Sequence, residues 1–319
     1  LFQPIFTVAA IFCVGIFSSK KWPLALLAVW MLWLCALDIN RLQPWVWFYL
    51  LIFAIVFLGK KENETSTTHT LRWLLAAVYF WGGFSKLTPY FAEDNFAWFC
   101  EAFDFTQPLA RFPLIGYAIA FLEMTFAVGF LWDKTRSYFR WIIIGFHALI
   151  IVFLLKLNWN WVVVPWNLGM AAMVWALAKN SEETAVNPSQ KGIVAFIWLT
   201  PALAYFQLLP QNLAWQLYSN TQPEATFFSQ NSPPCASFSK IWGKHAFDGG
   251  TKLLLDDWAN DELRVPMFAS ERTFRQVGQY LCACSANPDS AGLYILKVNR
   301  WNKSAEKMEK IPCRALLTE

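Results

Sequence analysis

The chain has 319 residues, 56% of them hydrophobic and 15% charged, with a net charge of +4 and a mean hydropathy of +0.34. A water-soluble domain needs more charge than this to clothe its surface, so an ordinary soluble enzyme is not expected. There is no basic block suited to nucleic acid. The apolar runs are continuous rather than alternating, which argues against a β-barrel.

Taken in chain order, apolar stretches lie at about 2–18, 23–39, 44–59, 71–87, 114–132, 140–157, 161–178 and 193–210, close to the roughly 20 residues that cross a bilayer. Pro23, Pro44 and Pro113 stand near the starts of three of them, where proline is tolerated. The 19 Trp and 29 Phe fit aromatic belts at a lipid–water interface. The expected fold is therefore an all-α polytopic membrane helix bundle of about eight spans over residues 1–210. A small α+β extracytoplasmic domain is expected over 211–319.

Lys20, Lys21, Lys60, Lys61, Lys134, Arg136, Arg140, Lys179 and Lys191 fall between alternate pairs of these stretches. The positive-inside rule makes those connections cytoplasmic and turns the C-terminal tail outward. The chain is therefore expected to be a multi-pass membrane protein with membrane lipids around it. The first residue is Leu rather than Met, so a preceding segment is expected. Residues 95–103, Asn-Phe-Ala-Trp-Phe-Cys-Glu-Ala-Phe, read either as a short interfacial helix or as a loop lying on headgroups.

In the tail, Thr251–Asp257 and Leu293–Trp301 read as strands. Glu271–Cys282 reads as an amphipathic helix with Phe274, Val277 and Leu281 on one face. Four of the seven cysteines, Cys235, Cys282, Cys284 and Cys313, lie there. In an exported domain they predict disulfides. A Cys282–Cys284 bridge would close a small strained ring, so pairing with Cys235 and Cys313 is preferred, with a redox Cys-x-Cys as the sharper alternative.

The costly residues are the ionisable and polar ones inside the apolar stretches. Lys86 ends the fourth, and Tyr79, Gly82 or Gly83, and Lys86 share one helix face. Glycine there lets a second helix or a flat ligand approach. Glu123, His147 and Asn167 lie in later stretches, and Asp38 and Arg41 at the outer end of the second. With Trp159, Trp161 and Trp166 as a roof, this set predicts one outward-facing cavity. Lys86, Glu123 and His147 would do proton chemistry, and Asp38, Arg41, Tyr79, Gly83, Trp166 and Asn167 would bind substrate. A lysine in a low-dielectric pocket can act as a base, and a flat apolar pocket suits a quinone.

Each residue also has a plainer role. Asp38 and Arg41 can pair at the interface, Lys86 can snorkel, Glu123 can be protonated between helices, His147 can pack as a neutral ring, and Asn167 can bridge helices. Three histidines on separate segments do not predict a metal site.

Tyr79-Phe80-Trp81-Gly82-Gly83-Phe84-Ser85-Lys86-Leu87 resembles the Tyr-Phe-x-Ala-Gly-x-x-Lys-Leu signature of the HTTM domain, the membrane part of vitamin K-dependent gamma-glutamyl carboxylases. The stretch from His147 to Pro165-Trp166-Asn167 is similar to bacterial members of the HTTM/DoxX group. So is the tail, through Asp257-Trp258-Ala259, Glu262-Leu263, Val265-Pro266 and Glu271-Arg272. The resemblance implies that Lys86 is the base that deprotonates a quinol. The chain differs from the carboxylases in its short tail and in Ser85, which stands where they have a lysine, so peptide carboxylation is not the expected activity. The rival expectation is a non-enzymatic subunit of a membrane complex, its aromatic surfaces contacting partner helices and its tail docking an exported protein.

Overall fold

The computed structural model describes residues 20–59, 64–159, 161, 163–179, 188–216, 218–230, 236–263, 265–285 and 287–318. The chain divides into two units. The first contains α1 (Trp22–Leu37), α2 (Pro44–Leu58), α3 (Glu64–Ser85), α4 (Phe96–Cys100), α5 (Pro113–Leu131), α6 (Asp133–Lys156), α7 (Val163–Leu177) and α8 (Pro188–Tyr205). Proline occupies the first turn of α1, α2 and α5, where its missing N–H costs nothing and its fixed φ suits the helix.

The eight-span expectation is overturned. Among the described residues only α5 and α6 are long and apolar enough to cross a membrane. The stretches at 23–39, 44–59 and 161–178 fold into helices of 16, 15 and 15 residues, below the roughly 17 that a span requires. The helix that takes in 71–85 of the fourth stretch reaches 22 residues by recruiting the polar run Glu64-Thr65-Ser66-Thr67-Thr68-His69-Thr70 and buries Arg72. An apolar run does not set helix length; the caps and turns that end the helix do. The stretch at 2–18 lies outside the described residues.

Basic residues read as topology markers have a second job here. Helix C-termini present unsatisfied carbonyls carrying partial negative charge, and cations stabilise them. Arg136, fully buried, donates from Nε and Nη2 to Phe130 O and Leu131 O at 2.9 Å each, at the end of α5, and pairs with Asp133. Arg72, from α3, caps α7 through Leu177 O (2.8 Å) and Lys179 O (2.6 Å). Lys21 reaches Phe57 O at 2.8 Å at the end of α2. Nothing in the sequence singled out Arg72 beyond its place as the second residue of the 71–87 stretch.

The second unit comprises Thr88–Asn95 and Tyr218–Glu319. Its elements are β1 (Glu224–Ser229), α9 (Ser239–His245), β2 (Lys252–Leu254), α10 (Leu255–Leu263), α11 (Glu271–Cys284), β3 (Ala291–Lys297), β4 (Lys307–Pro312) and α12 (Cys313–Leu316). The strands form one antiparallel sheet in the order β2-β1-β3-β4. Register places Leu253, Phe227, Leu293 and Ile311 in one row. All four are buried because alternate residues of a strand face the same side. Ser270 caps α11 by accepting from Thr273 N. Phe274 and Leu281 of α11 are buried and Val277 packs against the same core.

The strand expected over Thr251–Asp257 stops at Leu254, because Leu255 begins α10 with Asp256 and Asp257 in its first turn, where acidic side chains favour a helix start. The strand expected to reach Trp301 ends at Lys297. Residues 90–95, before the α4 helix, form a π-helical turn. It is held within the second unit: Tyr90 donates to Glu306 at 2.7 Å, Lys303 pairs with Glu93 and Asp94 at 3.0 and 2.8 Å, and Asn220 donates to Asn95 at 3.0 Å.

Cys282 and Cys313 form a disulfide that joins the last turn of α11 to the start of α12. Cys235 lies outside the described residues, so its expected bridge is not described. Burial pushes the Asp256 carboxyl above the ordinary carboxylate range, against the lowering pull of the Met267 N–H and Asn260. A raised carboxyl binds a proton more readily in the folded state, so its stabilising contribution is full at acid pH and lost as pH rises through the folded value. The second unit of the intact chain should therefore melt higher near the ordinary carboxylate value, about pH 4, than at about pH 7.5. Calorimetry should show that difference shrink in Asp256→Asn; an unchanged difference would assign the pH dependence to other groups.

Candidate functional site

The site assembles on α3. Tyr79, Gly82 and Gly83 lie within its last two turns, and Lys86 follows its final residue, its N–H bonded to Gly83 O at 3.0 Å. The expected glycine face is filled by α5. A Cβ on Gly83 would lie 2.5 Å from Ala120 O and 2.7 Å from Met124 N, and one on Gly82 would lie 2.9 Å from Glu123 Oε1. The glycines thus admit a helix, not a ligand. That approach delivers Glu123 to Lys86.

Lys86 Nζ donates to Glu123 Oε2 at 2.6 Å, and each side chain is only 11% exposed. Of the four partners open in the sequence, Asp38, Glu123, His147 and Asn167, the ammonium takes the carboxylate across the α3–α5 contact. Lys86 therefore does not snorkel.

A second network runs alongside, starting from Tyr79. The Tyr79 hydroxyl lies 2.9 Å from His147 Nε2 on α6, and His147 Nδ1 lies 2.7 Å from Asn167 Oδ1 on α7. Asn167 spends its amide N–H on Val163 O at 2.8 Å, so its oxygen faces the imidazole and must accept from Nδ1–H. Nε2 is then the acceptor for the Tyr79 O–H, the arrangement of a neutral imidazole. Phe126 packs edge-on against Tyr79 at 5.8 Å. Trp215, buried and in a left-handed conformation at φ 50°, brings its carbonyl 3.8 Å from where a Cβ on Gly82 would lie. Nothing in the sequence marked Trp215, because its neighbourhood arises from chain reversal after α8.

Other expected members are elsewhere. Asp38 and Arg41 pair at 3.6 Å across the 3-10 turn after α1, both half-exposed, and Asp38 accepts from Asn40 N. They take the plainer role, because a short polar turn satisfies both within itself. Trp166 is buried against Phe48 and Tyr49, ring centroids 5.0 and 6.4 Å away. Trp159 stacks edge-on with Trp98 at 4.8 Å, and Trp161 donates to Asn158, so the three tryptophans build no common roof. An apolar groove of about 550 Å³ opens instead between α1, α2 and α8, lined by residues such as Val29, Trp47, Phe53 and Phe196. Among the described residues its lining holds no charged side chain.

Chemically, an ammonium–carboxylate pair is neutral as a unit. It can take up one proton at Glu123 and leave the Lys86 ammonium to hold the anion produced. The Tyr79–His147–Asn167 chain offers a hydroxyl and an imidazole for moving a proton. No protein-family model, curated protein or solved structure matches the chain.

Proposed function

We propose that the helical unit binds a lipid-soluble, quinol-like molecule at Lys86–Glu123 and accepts a proton from it, as a bacterial cytoplasmic-membrane protein of HTTM/DoxX type. The single observation that carries this reading is the enclosed Lys86–Glu123 pair at 2.6 Å. Burying two charges is costly, and a hydrophobic pair would pack as well or better, so stability alone gives little reason to place them there. Pairs in low dielectric are, in contrast, where proton-transfer chemistry is tuned. The resemblance around Tyr79–Leu87 supports the same substrate class. The apolar exterior of α5 and α6, including Phe121, Val128, Leu149 and Val152, supports a lipid environment. The Cys282–Cys313 disulfide supports a second unit outside the cytoplasm, where disulfides persist.

In this scheme the quinol hydroxyl gives its proton to Glu123, and Lys86 donates a hydrogen bond to the resulting phenolate. Charge-assisted bonds of this kind are the strong ones. The test uses protein in lipid nanodiscs titrated with short-chain ubiquinol and menaquinol analogues by calorimetry. Glu123→Gln should weaken binding about tenfold, the loss of one hydrogen bond to a charged group, and abolish the ultraviolet absorbance of the bound phenolate, because the hydroxyl proton then has no carboxylate to go to. Equal binding by variant and wild type, or no binding by wild type, overturns the reading. Release of a co-purifying protein by Lys86→Met would replace it with the subunit reading.

A further inference from the structure

Toward the N-terminal end of α6, away from Lys156, lies a basic residue that takes no part in the Lys86–Glu123 site. The Arg140 guanidinium carbon lies 5.1 Å from the Trp141 ring centroid and 4.7 Å from that of Trp175 on α7. The two indoles meet edge-on at 5.2 Å. Among the described residues no carboxylate pairs with Arg140; its Nε is buried without a hydrogen-bond partner, so the terminal nitrogens are the donors left to meet an outside anion. Its neighbour Arg136 is treated differently, satisfied by Asp133 and by the carbonyls that end α5. Lys134, Tyr138 and Trp141 follow one another at i, i+4 and i+7 along one face of α6. All three are exposed, Tyr138 by 73% and Trp141 by 57%.

Stacking on aromatic faces holds a guanidinium in place without cancelling its charge. The planar fork then keeps donors for a second, anionic partner. Amphipathic indoles and a phenol beside it match the depth of phospholipid headgroups, and among the described residues α6 is one of two helices long and apolar enough to cross a membrane. Charge complementarity selects the occupant. We propose that Arg140, clamped by Trp141 and Trp175 and flanked by Lys134 and Tyr138, binds the phosphate of an anionic phospholipid. The inference rests on α6 spanning a membrane and is independent of chemistry at Lys86.

The experiment titrates delipidated full-length protein in mild detergent with phosphatidylglycerol or phosphatidylcholine and counts bound lipid by native mass spectrometry. Wild type should retain phosphatidylglycerol in preference to phosphatidylcholine. Arg140→Gln should lower phosphatidylglycerol binding about fivefold, the loss expected for one basic residue at an anionic surface, and leave phosphatidylcholine unchanged. Arg140→Lys keeps the charge without the fork and should fall between. Inorganic phosphate as competitor should displace little lipid, because the acyl chains lie against the apolar helices. Equal retention of the two lipids by wild type overturns the proposal, as does an Arg140→Gln protein that binds like wild type or full displacement by phosphate. Should Arg140→Gln fail to fold by circular dichroism, the wild-type preference and the Arg140→Lys comparison decide alone.

Discussion

Lys86→Met should destabilise the helical unit by about 3 kcal/mol, because it strands the Glu123 carboxylate in a buried place. Both side chains of the pair are only 11% exposed, so water cannot stand in for the missing ammonium. The penalty belongs to the orphaned charge rather than to the lost contact. Lys86→Met combined with Glu123→Leu should therefore recover most of the loss, since an apolar pair of similar volume is tolerated where an ion pair was. Thermal unfolding of the protein in nanodiscs measures both. Asp38→Asn serves as the reference: its pair is half-exposed within one turn, and such pairs contribute about 0–1 kcal/mol. A single Lys86→Met variant as stable as Asp38→Asn would mean that the carboxylate escapes to water or is protonated. The two variants also separate stability from function, because the double variant should be folded yet unable to bind the quinol analogue.

Gly83→Ala should cost about 2–3 kcal/mol, the range for overpacking a tight contact, although alanine is the better helix former by about 1 kcal/mol. The added methyl meets main-chain atoms, Ala120 O at 2.5 Å and Met124 N at 2.7 Å, and these cannot swing aside as a side chain can. Helix α3 or α5 must move as a body, carrying Lys86 and Glu123 apart. Gly82→Ala, one residue earlier, meets the carboxylate of Glu123 instead, at 2.9 Å. A terminal carboxylate can rotate, so this variant should keep most of its stability while losing affinity for the quinol analogue. The paired measurement is a melting midpoint and a binding isotherm for each protein. A neutral Gly83→Ala would refute the close α3–α5 approach on which the site depends.

Much of the local structure is legible in the sequence. Proline at first-turn positions and continuous apolar runs determine where α1, α2 and α5 begin. The spacing of Phe274, Val277 and Leu281 determines the buried face of α11. The cost of an isolated charge determines that Lys86 needs a polar partner. Helix length, however, depends on where caps and turns close each helix. That is why three apolar stretches stop at 15 or 16 residues, and only α5 and α6 are both long and apolar enough to cross a membrane among the described residues. The identity of the Lys86 partner was equally open, since Asp38, Glu123, His147 and Asn167 lie on separate segments. Packing of the Gly82–Gly83 face against Ala120 and Met124 chose Glu123. It left His147 and Asn167 to satisfy Tyr79, while Asp38 was already spent on its own turn. Sequence spacing reports which residues share a face of one helix. Which faces meet, and at what register, is decided by shape complementarity between helices, and that information exists only in the folded chain.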